Sequence, residues 1–273
     1  MRFWNKYNAL QLKNPATMLC IGLDTAFELL PLHLQTKSTA EAITEFNKRI
    51  IAATHDIAAA YKINLAFYEQ YGIEGWRAFE ATLQAIPETC ITIADAKRGD
   101  IGNTSKAYAK AFFDRYDCDA ITVAPYMGQD SVAPFLEYTD RMTFVLALTS
   151  NAGSHDFQRL HAGNKPLYKT IVQTSLAWAA ETNNCGFVVG ATHPQELAEL
   201  RNMIPETMLL IPGIGAQGGD IAATVKANAN APALINVSRG IIYASHDENF
   251  ADVARTAALR FNTDVQTAYS RHF

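Results

Sequence analysis

Along the chain, short runs of apolar residues alternate with longer stretches in which apolar positions recur every three or four residues. The short runs predict strands at 18–23, 59–65, 90–96, 120–124, 143–148, 186–189, 208–211 and 234–237. The amphipathic stretches predict helices at 38–56, 75–85, 104–116, 130–138, 166–182, 194–203, 220–228 and 249–262, with a short one over 3–12 ahead of the first strand. Strands that alternate strictly with helices pair in parallel through crossover connections. Eight such units in 273 residues fit an α/β fold of the closed (β/α)8 TIM barrel type, with an open doubly wound sheet as the alternative. The N-terminal helix is placed to close the bottom face. No linker, low-complexity segment or shift in composition divides the chain, so residues 1–273 read as a single barrel domain.

In such barrels the loops that follow the strands converge on one mouth, where function collects. The polar residues at the predicted strand ends are Asp24 after the first strand, Lys62 and Asn64 on the second, and Asp95, Lys97 and Asp100 at the third. The fifth ends in Thr149-Ser150-Asn151, the seventh in Pro212-Gly213-Ile214-Gly215-Ala216-Gln217-Gly218-Gly219, and the eighth in Asn236-Val237-Ser238-Arg239-Gly240. In a strand, residues two apart share a face. Asp95 and Lys97 should therefore project together, with the chain turning at Gly99 and carrying Asp100 beyond the strand end. A salt bridge that merely closes the strand would use the same residues, since ionic networks also occur without function. Lys62 either snorkels to solvent or pairs with Asp95 across neighbouring strands.

Gly213, Gly215 and Gly218 spell the dinucleotide fingerprint, but that motif needs further strands and an acidic residue about 20 positions on. Only one strand follows here, and it ends in Arg239. The loop reads better as a phosphate site, its backbone N–H groups acting with the N-terminus of the helix that begins near Asp220. Arg239 would add a bidentate contact and Gln217 an amide donor.

The formal net charge of −4 and the lack of a long basic block argue against a nucleic acid partner, so any phosphate must be bound locally. Cys20, Cys90, Cys118 and Cys185 are far apart and lie in or beside apolar runs, which predicts buried, reduced thiols. The seven histidines show no metal-ligand spacing, and there is no nucleophile elbow, Walker loop or zinc motif. Neither a signal peptide nor a membrane-length apolar stretch is apparent, so a cytoplasmic location without membrane contact is expected.

The segment Ile93-Ala94-Asp95-Ala96-Lys97-Arg98-Gly99-Asp100 stands in order with Cys20-Ile21-Gly22-Leu23-Asp24, Tyr61-Lys62-Ile63-Asn64, the 212–219 loop and Arg239-Gly240-Ile241-Ile242-Tyr243. This set resembles the orotidine 5′-phosphate decarboxylases in their longer bacterial form. The resemblance implies decarboxylation of orotidine 5′-monophosphate to uridine 5′-monophosphate in pyrimidine synthesis, without a metal or organic cofactor. It implies that Lys97 protonates C6 as carbon dioxide leaves and that Asp95 lies against the substrate carboxylate. Lys62 would anchor the charge network and hold the ribose with Asp24, and Ser150 would meet the pyrimidine. Pro212, Gly215, Gln217, Gly218 and Arg239 would surround the phosphate. Asp100 and Thr104 would enter the neighbouring subunit's site across a homodimer interface.

Two positions depart from the family pattern: the loop at 149–153 lacks a proline before Gly153, and Val237 replaces a small polar residue. Three other readings share these residues. One is a magnesium-dependent β-keto acid decarboxylase or hexulose-phosphate synthase, and another is an aldolase using Lys62 or Lys97 as a Schiff base. The third is a phosphate-binding barrel without catalysis.

Overall fold

A computed structural model describes residues 2–215 and 218–272. Eight parallel strands close into a barrel: β1 (Leu19–Gly22), β2 (Ala60–Asn64), β3 (Ile91–Arg98), β4 (Ala120–Val123), β5 (Met142–Leu148), β6 (Cys185–Val189), β7 (Leu209–Pro212) and β8 (Ala233–Val237). Each pairs with its neighbours in sequence, and β8 pairs with β1 through Leu19↔Ile235 and Cys20↔Asn236. The closed barrel is therefore formed, not the open sheet, and every predicted strand is present within two residues of its expected limits.

Because successive strand residues point to opposite faces, each apolar run divides into two sets. Leu19, Ile21, Tyr61, Ile63, Ile121 and Val145 pack outward under the helices. Cys20, Ala60, Ile93, Ala120, Phe144, Val188, Leu210 and Leu234 pack inside the barrel. Two residues further along, the inward positions of four strands become polar, with Lys62, Asp95, Thr122 and Asn236. An apolar plug thus fills the lower barrel and a polar ring crowns it.

The helix Arg2–Lys13 closes the bottom, as its amphipathic pattern suggested. Its Phe3 is fully buried in the interior cluster and meets Phe144 edge-on, with ring centroids 6.1 Å apart. Asp119, fully buried just before β4, fixes this helix. Its Oδ2 accepts from Lys6 Nζ at 2.7 Å and from the Thr92 hydroxyl at 3.0 Å, while Oδ1 pairs with Arg2 Nε at 2.7 Å.

Helix limits depart from expectation where local packing overrides periodicity. The helix after β3 runs Gly102–Ala109 and then widens into a π-helical turn over Lys110–Arg115. Within it, the consecutive Phe112 and Phe113 face different neighbours, Phe79 on one side and Phe135 on the other. The last helix, Phe250–His272, extends past 262 because buried Val265 and Ala268 continue its apolar stripe among polar residues. The helix Leu167–Trp178 stops short of 182, where a polar run of turn-forming residues begins. Short pieces at Ala66–Glu69 and Arg239–Ile242, and a two-stranded ribbon pairing His161–Ala162 with Lys165–Pro166, are too brief to leave a periodic signal. Among the described residues, no helix is long and apolar enough to cross a membrane.

Candidate active site

A cavity of about 300 Å³ opens at the carboxyl ends of the strands, within the usual range for small-molecule sites. Leu146, Val188 and Leu210 make its apolar floor. Asp24, Lys62, Asn64, Asp95, Lys97, Thr122, Ser150, Asn151, Pro212, Asn236, Ser238 and Arg239 make its walls. Most of the polar strand-end residues picked out by the sequence thus share one chamber.

Four of them form a row of alternating charge. Lys62 Nζ lies 3.4 Å from Asp24 Oδ1 and 2.9 Å from Asp95 Oδ2, and Lys97 Nζ lies 2.7 Å from Asp95 Oδ1. Lys62 is therefore paired, not snorkelling. Burial works against its charged form, yet Asp24 and Asp95 outweigh that and hold the ammonium above its ordinary range. Burial likewise pushes the Asp95 carboxyl upward, but Lys62 and Lys97 overcome it and hold the group well below the usual carboxylate range. Both groups are charged at neutral pH.

The path of β3 corrects the expected simple alternation of Asp95 and Lys97. Pairing with β4 passes from Ala94↔Ile121 to Arg98↔Val123, so Asp95, Ala96 and Lys97 stand against Thr122 alone. Such a bulge re-aims side chains. Lys97 itself turns, with φ of 48°, a left-handed value uncommon for a residue other than glycine. Asp95 and Lys97 converge through this bulge and not through simple alternation. Gly99 follows directly on the strand end at Arg98, where a Cβ would lie 2.8 Å from the Ala124 carbonyl oxygen.

Asp24 sits on a loop whose backbone is clamped from behind. Tyr68 donates to the Leu23 carbonyl at 3.0 Å, while the Tyr243 hydroxyl donates to the Asp24 carbonyl at 3.2 Å and accepts from Ala26 N at 2.7 Å. The Thr25 hydroxyl donates to buried Asn47 Oδ1 at 2.7 Å, and Asn47 Nδ2 donates to the Tyr68 hydroxyl at 2.9 Å. Ser150 is held close to β6, since a Cβ on Gly190 would approach Ser150 N to 2.8 Å. Gln158 Oε1 steadies the same loop by accepting from Thr149 N at 2.8 Å.

On the opposite wall, Gly213, Gly215 and Gly218 all take positive φ, which explains glycine at these positions. Their loop folds onto itself: Gly218 N donates to Gly215 O at 2.8 Å and Gly219 N to Gly213 O at 3.0 Å. The helix Ile221–Asn228 is capped by Asp220, whose carboxylate accepts from Ala223 N at 2.8 Å. The N–H groups of Gly218, Gly219 and Ala223 are thus bonded within the loop and its cap. Gly215 and Gly218 lie off the cavity wall, and Gln217 lies outside the described residues. Arg239 stands exposed at the rim, its guanidinium making no hydrogen bond or ion pair with a described residue.

Asp100 and Thr104 do not line this cavity. Asp100 Oδ1 accepts from Ile101 N at 2.7 Å, and Thr104 is exposed on the first turn of the following helix. Among the described residues, no group of three or more His, Cys, Asp or Glu is placed to hold a metal ion. All four cysteines are buried free thiols.

The model of the "Orotidine 5′-phosphate decarboxylase / HUMPS family" matches residues 17–253. The chain belongs to this family. A curated orotidine 5′-phosphate decarboxylase of Christiangramia forsetii is 50% identical, over 91% of this chain and 92% of its own. That of Flavobacterium johnsoniae is 47% identical, over 93% of this chain and 94% of its own. Among solved structures, Leishmania donovani OMP decarboxylase superposes with a TM-score of 0.86 at 38% identity, covering 99% of this chain and all of that one.

Against this orotidine 5′-phosphate decarboxylase family background, the groups that sequence reasoning missed are the supporting ones. Thr122, Tyr68 and Asn47 read as ordinary strand or helix residues, and Tyr243 stood in the 239–243 segment without a role, because their polar atoms are aimed by the fold and not by spacing. For Thr122 a signal existed: it is the inward position of β4 level with the polar ring.

Proposed function

We propose that this chain decarboxylates orotidine 5′-monophosphate to uridine 5′-monophosphate and carbon dioxide in de novo pyrimidine synthesis, using its own side chains and no cofactor. The observation that carries the reading is the row Asp24, Lys62, Asp95, Lys97 at the edge of the cavity. The family description spans two activities, but the relatives at 46–50% identity are named orotidine 5′-phosphate decarboxylase.

Breaking the bond between C6 and the carboxylate leaves an electron pair on C6 with little resonance relief. A fixed ammonium beside C6 stabilises that localised charge more than it stabilises the delocalised carboxylate, which lowers the barrier. Lys97 occupies that place, and a proton from its Nζ passes to C6 as carbon dioxide departs. Water then restores the proton to the amine. Asp95, kept ionised by its two lysines, lies against the substrate carboxylate and holds Lys97 in line. Lys62 and Asp24 take the ribose hydroxyls, and Ser150 takes the pyrimidine edge. Pro212 walls the phosphate end, where Arg239 and the loop of Gly215, Gln217 and Gly218 grip the phosphate.

The working unit in this reading is a cytoplasmic homodimer, in which Asp100 and Thr104 enter the second copy's site. Their neighbours support it: Ile101, Tyr126 and Met127, on the loops after β3 and β4, are exposed apolar side chains of the kind an interface covers.

The test is to mix the purified protein with orotidine 5′-monophosphate and follow the loss of orotate absorbance, with and without a chelator, beside Lys97→Ala. Turnover by the wild type that resists the chelator and vanishes in the variant is expected. No turnover by the wild type, or equal turnover by the variant, overturns the reading. Loss to the chelator favours the magnesium-dependent alternative.

A further inference from the structure

We propose that Thr122 is a positioning residue for this reaction: its hydroxyl ties the backbone of Lys97 to the carboxylate of Asp95, and so sets where the Lys97 ammonium stands. The inference rests on the reading of Asp95 and Lys97 given above. Thr122 Oγ1 donates to Asp95 Oδ1 at 2.9 Å and accepts from Lys97 N at 3.0 Å. A hydroxyl has one proton to give. With that proton on Asp95, the oxygen lone pairs face the Lys97 N–H, and both bonds are satisfied at once.

Position and conformation both make this tie consequential. The bulge sets three residues of β3 against Thr122 alone, so the regular ladder holds nothing between Ala94 and Arg98 on that side. Within that gap Lys97 adopts its left-handed φ of 48°, a conformation that persists only where its surroundings over-determine it. The Thr122 hydroxyl supplies such a restraint from the neighbouring strand. It also shares Asp95 Oδ1 with Lys97 Nζ, which lies 2.7 Å away. The backbone and the tip of Lys97 are thereby referenced to one fixed point. Thr122 is 1% exposed and has no other polar duty among its described contacts.

The experiment compares Thr122→Val, which keeps the shape and removes the hydroxyl, with Thr122→Ser, which keeps the hydroxyl. Lys97→Ala is run in parallel. Titration with uridine 5′-monophosphate counts folded sites, so that kcat is expressed per competent site. Misplacing a reacting group by about 1 Å costs on the order of 100-fold. Thr122→Val should therefore lose roughly that factor in kcat while KM stays within about threefold, and Thr122→Ser should stay within about fivefold of wild type.

Wild-type kcat in Thr122→Val, a loss confined to KM, or a serine variant as impaired as the valine one overturns the proposal. If Thr122→Val is recovered unfolded, Thr122→Ala answers the same question against the same thresholds. Full turnover by Lys97→Ala removes the reading on which the proposal rests, and the proposal with it. An inactive Lys97→Ala beside an unimpaired Thr122→Val removes the Thr122 inference alone.

Discussion

The two ends of the strand pair β3–β4 carry the same chemical set with the roles exchanged. At the bottom, Asp119 just before β4 faces Thr92 of β3 and two cations, Arg2 and Lys6. At the mouth, Asp95 of β3 faces Thr122 of β4 and two cations, Lys62 and Lys97. Each carboxylate is buried, and each is neutralised by its neighbours.

What differs is the use of the cations. Below, Lys6 also donates to the Cys90 carbonyl and Arg2 also pairs with Asp117, so protein atoms absorb both. Above, the Lys97 side chain is 47% exposed, and Asp95 is its one polar side-chain partner among the described residues, although an ammonium has three donors. A cluster of buried charge is therefore ambiguous by itself. Unspent donors facing a cavity separate a site from a staple.

Neutralising each carboxylate in turn should break the likeness. Asp95→Asn is expected to lower kcat by about 10³-fold, the scale of losing a preorganised electrostatic group, as read in the orotate absorbance assay. Asp119→Asn should leave kcat per folded site unchanged and instead cost about 3 kcal/mol of stability, a fall on the order of 10 °C in Tm by calorimetry. A kinetic defect in Asp119→Asn, with stability intact, would collapse the distinction.

Next in size, if Arg239 grips the phosphate as proposed, Arg239→Ala should remove a charge-assisted contact worth about 2 kcal/mol, or roughly 30-fold in kcat/KM. Part of that loss should appear in kcat, because remote phosphate binding energy also orients the substrate. The smallest effect concerns acid. Asp95 has a folded pKa below its ordinary 3.8, so the unfolded state binds more protons there and stability falls as pH drops through that region. Thermal scans from about pH 5 to about pH 2.5 should show a steeper decline in wild type than in Asp95→Asn.

Much of this was legible in the sequence because inward and outward strand positions are both apolar until the mouth is reached. Eight short apolar runs gave away the barrel, and lysines and carboxylates interrupting them at Lys62, Asp95 and Lys97 gave away the site. The bulge was not legible, since strand alternation and a bulge bring the same two residues together. Thr122 was legible only by its level, since a β-branched side chain suits any strand. The glycine loop after β7 shows the opposite limit. Its glycines announce positive φ, but whether an N–H points at a ligand or at Gly213 and Gly215 depends on the folded path. The bottom network escaped notice because Arg2 and Asp119 meet only after the N-terminal helix has docked.

The left-handed backbone at Lys97 sets conformational strain and ion pairing against each other at a single codon. Glycine adopts that conformation freely, whereas a lysine there carries a penalty of about 1–2 kcal/mol. Glycine at position 97 would relieve that backbone but strip buried Asp95 of one of its two cations, so the two effects oppose each other. A heat-resistance screen at this one position would therefore weigh a strained main chain against an anchored side-chain tip.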